Sequence, residues 1–165
     1  MEKEVLLAGE SNSTEYKVTV PRNSEQYMKT VVAFANGQGG TIVFGVDDSL
    51  YVVGMEGDTI FQTMDAITNA ISESCEPSIV PLVTLQTIEG NTVIVVEIES
   101  GRQRPYFLKS KGIVDGTYTR VGGTTRVVSG HMLRELILEG QNRYFDSEIY
   151  EGLHITNDFT NTDTI

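Results

Sequence analysis

The chain has 165 residues, 39% hydrophobic and 21% charged, with a net charge of −11, which fits one domain with a real core and excludes wholesale disorder. No apolar run approaches the ~20 residues of a membrane span, and Met1-Glu2-Lys3-Glu4 opens no signal peptide, so a cytoplasmic protein with no membrane contact is expected. The single Cys75 excludes an internal disulfide framework, and with only His131 and His154 beside it a Cys/His zinc site is excluded too.

Residues Glu15 to Val20 alternate, with Tyr16, Val18 and Val20 on one face, and predict a half-buried strand. Pro21 breaks it, Asn23 is the expected cap of a helix bearing Tyr27, Val31, Phe34 and Ala35, and Gly37 stands where a left-handed stop is wanted. The run Thr41–Val46 predicts a central strand, the Asp47-Asp48-Ser49 turn follows, and Tyr51–Val53 predicts a short return strand. Asp58 is the expected cap of a second helix carrying Ile60, Met64, Ile67, Ile71 and Cys75, closed by Pro77. Two strands, Val80–Ile88 and Thr92–Ile98, join through Glu89-Gly90-Asn91 as a hairpin. Tyr106–Leu108 and Thr117–Val121 predict strands around the loop 111–116, with Gly122-Gly123 ending the second, and Ser129 precedes a last helix. This order implies an α+β domain, a mixed sheet with about three helices packed on it, over residues 1–143. Residues 144–165 predict an acidic, polar tail or the start of a downstream region.

Charge is unevenly spread. Residues 1–101 carry a balance of −11, residues 102–126 of +5 and residues 127–165 of −5. The basic stretch holds Arg102, Arg104, Lys109, Lys111, Arg120 and Arg126 against the single acid Asp115, interleaved with Tyr106, Phe107 and Tyr118. Arginines and aromatics in such a pattern can grip phosphates and stack on unpaired bases, although the same residues also describe a charged surface over two core strands. Gly37-Gln38-Gly39-Gly40 lies between a helix and the strand after it, the reverse of a phosphate loop, and reads as a helix end entering a buried strand. Glu10, Glu15 and an acid of the Asp47-Asp48 turn could converge only if the chain turns at Ser11-Asn12-Ser13. Three such carboxylates would suit Mg²⁺ or Mn²⁺ and phosphodiester cleavage; otherwise they form a solvated strand face and a plain turn. No Gly-x-Ser-x-Gly or Cys-His pair supports a hydrolytic triad, and Cys75 reads as core.

Three blocks together resemble a known family. They are Gly9-Glu10-Ser11 with Glu15-Tyr16-Lys17, then residues 32–48 (VAFANGQGGTIVFGVDD), and finally Gly116-Thr117-Tyr118-Thr119-Arg120-Val121-Gly122. The chain resembles, over residues 4–140, the Schlafen-type AlbA-like domain found at the front of bacterial transcriptional-regulator-like proteins. The resemblance implies an AlbA/Schlafen-core α+β fold and binding of DNA or RNA, with Lys17, Tyr118 and the six basic residues of 102–126 as expected contacts. It implies as an alternative a Schlafen-type endoribonuclease using Glu10, Glu15 and Asp48 with Mg²⁺ or Mn²⁺. The Schlafen zinc site is absent from this sequence, and a two-lobed horseshoe would need a homodimer. A non-catalytic interaction or oligomerisation domain is the third reading left by the acidic charge.

Overall fold

The computed structural model describes residues 6–141. The segment 144–165 expected as a tail lies outside the described residues.

A four-stranded sheet forms the base. Its strands are β1 (Thr14–Lys17), β2 (Gly40–Phe44), β4 (Leu82–Ile88) and β5 (Asn91–Ile98), in the order β1-β2-β5-β4. β1 and β2 are parallel, with Glu15 opposite Ile42 and Tyr16 opposite Val43, and the other two pairings are antiparallel. Between β1 and β2 runs α1 (Glu25–Asn36), and α2 (Ile60–Ser74) follows β2. A two-residue strand, β3 (Cys75–Glu76), pairs with β6 (Phe107–Leu108), and after the short α3 (Gly112–Gly116) come β7 (Tyr118–Val121) and β8 (Thr124–Val127) as a hairpin. Residues 130–141 form the last helix, α4.

α1 is the centre of the molecule. Nine of its twelve residues are buried, including Thr30 and Asn36, so it is apolar nearly all round, as a helix enclosed on several sides must be. Ile42, Phe44, Ile94 and Val96 of the sheet pack beneath it, Ile67 and Ile71 come from α2, and Tyr118 comes from the β7–β8 hairpin. On the other sheet face a smaller cluster joins Tyr16, Val43, Val93 and Val95 to Leu6, Val46 and Val52. The Tyr16 hydroxyl donates to the Leu6 carbonyl at 2.5 Å and accepts from Gly9 N–H at 3.1 Å, which pins the segment before β1 against this face.

The α+β class and the main elements match the sequence expectations, and several details differ. β1 stops at Lys17, and Val18 is exposed while Val20 packs on the main core. The cap of α1 is Ser24, without a side-chain cap bond, while Asn23 Oδ1 accepts from Glu25 N–H at 3.0 Å. α2 likewise starts after Thr59, not at Asp58. Gly37 has φ of −115°, and the left-handed residue is Gly39 at +83°, whose N–H closes the helix end on the Phe34 carbonyl. Gly40 must be small as well, since a Cβ there would lie 2.6 Å from the Phe34 ring. Tyr51–Val53 contributes a single bridge, Val52 with Val46, where a strand is expected. Cys75 is core, as expected, but sits in β3 just past α2. Gly122-Gly123 turns into β8 where the sequence predicts an end, and part of the expected loop 111–116 is helical.

Candidate functional site

β1 is an edge strand, and the β7–β8 hairpin is fastened beside it. Glu15 projects from β1 toward α1, and Arg120 from β7 meets it with Nη1 2.8 Å from Glu15 Oε1. The two side chains are 4% and 14% exposed, Arg120 being the more enclosed. Arg120 Nη1 also donates to Thr125 Oγ1 at 2.8 Å, Nε to the Ser11 carbonyl and Nη2 to the Thr14 carbonyl, both at 3.1 Å. Thr30 Oγ1 on α1 donates to Glu15 Oε2 at 3.1 Å and lies 2.9 Å from Thr125 Oγ1. Counting hydrogens fixes the directions: Thr125 accepts from Arg120 and donates to Thr30, which donates to Glu15, so the circuit closes. The guanidinium carbon also lies 5.4 Å from the centroid of the Phe34 ring. One arginine thus ties hairpin, edge strand and central helix together.

A second arginine closes the other end of α1. Arg104, 8% exposed, donates from Nη2 to the Gly37 carbonyl at 2.7 Å and to Ser100 Oγ at 2.6 Å, from Nε to the Gly101 carbonyl, and from Nη1 to Glu139 of α4. A cation bonded to a carbonyl at a helix C-terminus complements the helix dipole. Nearby, Asn36 Nδ2 donates to the carbonyls of Tyr106 and Tyr118, and its Oδ1 accepts from Tyr106 N–H. Asn36 therefore sets the register of the basic stretch against α1.

Among the expected contact residues, then, Arg104 and Arg120 have their guanidinium groups engaged within the fold, and the Tyr118 ring is buried in the main core. Lys111 pairs with Glu25 of α1 at 3.6 Å, and Lys17 lies 3.8 Å from Glu15. Arg102, Lys109 and Arg126 are exposed and make no salt bridge among the described residues. Arg126 stands on the outward face of the hairpin, opposite Thr119 in the ladder.

The three acids make different contacts. Glu15 is held as described. Glu10 is exposed, and its Oε2 accepts the Tyr16 N–H at 3.2 Å, along the free edge of β1. The Gly123 position of the hairpin tip faces it, a Cβ there lying 3.6 Å from Glu10 Cβ. Asp48 is exposed in the turn beyond β2, a turn made by Asp47, whose Oδ1 accepts from the N–H groups of Ser49 and Tyr51 at 2.9 Å. Among the described residues no group of three or more His, Cys, Asp or Glu side chains is arranged to hold a metal ion. As placed, these carboxylates do not fit Mg²⁺ or Mn²⁺, because a cation at Glu15 would have to displace a buried arginine.

The glycines 39 and 40 line a groove of about 770 Å³ with Leu6, Thr41, Leu82, Glu97 and Glu99. Among the described residues its lining holds two carboxylates and no cation, and the adjoining helix end is a C-terminus, which does not suit a phosphate. Cys75 is fully buried, and that burial pushes its thiol up to about 12, against a lowering influence from Lys109. It is no nucleophile at neutral pH.

The roles of Arg104, Arg120 and Asn36 are not visible in sequence spacing, since each acts across 35 to 109 residues of chain. The available signal is that polar Thr30 and Asn36 stand among the apolar residues of this helix: enclosed polar side chains must find partners from elsewhere.

Comparison with known proteins finds the same fold and a family. The fold is similar to that of the DIP2311 protein from Corynebacterium diphtheriae, with a TM-score of 0.57 and 20% identity over 75% of this chain. The chain spans about a quarter of that protein's length, 26%. It is also similar to the N-terminal domain of a RecG-related protein from Nitrosomonas europaea, with a TM-score of 0.52 and 22% identity, covering 78% of this chain and 92% of that one. The Schlafen AlbA_2 family model matches residues 10–129, which include the Glu15–Arg120 lock, all of α1 and the whole hairpin. The chain belongs to the Schlafen AlbA_2 family.

Proposed function

We propose that this domain binds nucleic acid through phosphate contacts, as the binding module of a larger regulator-like protein. The carrying observation is the distribution of cations in the segment 102–126. Three of its six basic side chains are tied into the fold or to Glu25, and Arg102, Lys109 and Arg126 remain in solvent on the same basic stretch of an acidic chain. Family membership supports the reading, as does a structural neighbour named after an ATP-dependent DNA helicase. Buried Arg104 and Arg120 position this surface without touching the ligand. Tyr118 is in the core, so base stacking by that ring does not contribute, and affinity rests on charge.

The test is fluorescence anisotropy with labelled single-stranded RNA, single-stranded DNA and duplex DNA. The triple variant Arg102→Glu/Lys109→Glu/Arg126→Glu should lose binding and keep its melting temperature, because all three side chains are exposed. Wild-type affinity in that variant overturns the proposal. The same substrates are incubated with Mn²⁺ and with EDTA. A metal-dependent product abolished by Glu15→Gln would replace the binder with the endoribonuclease reading, and intact substrate supports the binder.

A further inference from the structure

The two edges of the four-stranded sheet are treated differently. On β1 the Glu10 carboxylate accepts an edge N–H, that of Tyr16. Among the described residues, β4 has no such cover. The turn between β4 and β5 has both central residues at positive φ, Glu89 at 52° and Gly90 at 83°, which defines a two-residue hairpin. Ile88 and Asn91 flanking that turn are then a hydrogen-bonded pair, and alternation turns residues 82, 84, 86 and 88 inward to β5. Val83, Leu85 and Thr87 therefore aim their N–H and C=O groups outward. Among the described residues, no hydrogen bond reaches these outward groups.

Natural edges are usually blunted by charge, proline or a bulge. The seven residues of β4 contain none of these, and no charged residue occurs from Pro77 to Ile88, in a chain that is otherwise 21% charged. Leu82 at its start is 58% exposed.

We infer that β4 pairs antiparallel with β4 of a second copy of this chain, joining two four-stranded sheets across a twofold axis at Leu85. The strand is complementary to itself in that register. Leu85 faces the partner's Leu85, and Val83 faces the partner's Thr87, so every outward N–H and C=O finds its counterpart and all seven residues overlap. The alternate positions set the exposed Leu82 beside the partner's Ile88, and Thr84 beside the partner's Gln86. The seam carries no charge, and the two Glu89 residues flanking it stand ~27 Å apart at 3.4 Å per residue, beyond a Debye length of about 8 Å. Each copy carries −11 overall, so association tightens as salt rises. Nucleic-acid binding changes in the opposite direction, which keeps the two claims separable.

Sedimentation analysis of the chain over a concentration series, at low and high salt, is the test. A dimer is expected, tighter at high salt. Thr87→Pro removes an outward N–H that β5 does not use, and should weaken the dimer at least tenfold while leaving the melting temperature near wild type. Thr84→Cys/Gln86→Cys should form an intermolecular disulfide on oxidation, lost when Thr87→Pro is added. A monomer at roughly 100 μM, or a dimer that survives Thr87→Pro intact, overturns the inference.

Discussion

Replacing Arg120 by methionine tests whether the hairpin is locked to the central helix by one buried ion pair. The side chain is 4% exposed and its partner Glu15 14%, so this pair lies far from the solvated limit in which ion pairs contribute less than about 1 kcal/mol. Methionine fills similar space and removes the donors to Glu15, Thr125, Ser11 and Thr14 together. Glu15 keeps the Thr30 hydroxyl and Lys17 at 3.8 Å, but loses its closest cation. Removing one member of a buried pair typically costs 3–5 kcal/mol, a large part of a domain stability of roughly 5–15 kcal/mol. Urea unfolding should register that loss in the midpoint with little change in slope, and the melting temperature should fall by about 10–15 °C. Arg120→Lys, which keeps the charge without the planar fork, should fall between the two. A loss below about 1 kcal/mol for Arg120→Met would show that the circuit is solvated and would refute the lock.

Asn36→Leu leaves the Tyr106 N–H and the Tyr106 and Tyr118 carbonyls without a protein partner; at about 1–3 kcal/mol per unsatisfied group, denaturation should show a loss of at least ~3 kcal/mol. Gly40→Ala should cost about 1–3 kcal/mol because its Cβ would meet the Phe34 ring, whereas Gly123→Ala, with 3.6 Å of clearance, should change stability by less than about 0.5 kcal/mol. The Cys75 thiol, pushed up to about 12 by burial, should resist alkylation at pH 8 until the protein unfolds. Its raised value means the folded state holds that proton more tightly than the unfolded chain. The linked stability is therefore full below the ordinary value of 9.0 and is lost as pH rises through about 12, measurable as a falling urea midpoint.

Much of the fold is legible in local pattern. The uncharged run into β2, the four-and-three spacing of Ile60, Met64, Ile67 and Ile71, and the Glu89-Gly90 turn each state their element directly. The β7–β8 hairpin was equally local, since Gly122-Gly123 separates two short β-branched runs, but a pair of glycines also ends a strand. The site was harder to read because sequence shows the charge of Arg104 and Arg120, not their burial. Both look like surface cations in a basic stretch. Which cations are enclosed depends on what packs over α1, and that is decided by contacts such as Asn36 with Tyr118, 82 residues apart. Glu10 and Glu15 illustrate the same limit: the turn between them exists, yet one carboxylate holds an edge amide and the other a guanidinium.

The salt dependence of nucleic-acid affinity tests the central claim most directly, because it counts phosphate contacts. Three available cations give a log–log slope of about −2 on single strands and about −3 on duplex DNA, so tripling salt should weaken single-strand binding ~10-fold. Arg126→Ala should reduce the single-strand slope by about 0.7. A slope near −4 on single strands would mean that about six cations contact phosphate. With one copy bound per oligonucleotide, that count exceeds Arg102, Lys109 and Arg126, so cations outside this set carry the binding and the proposed surface is contradicted.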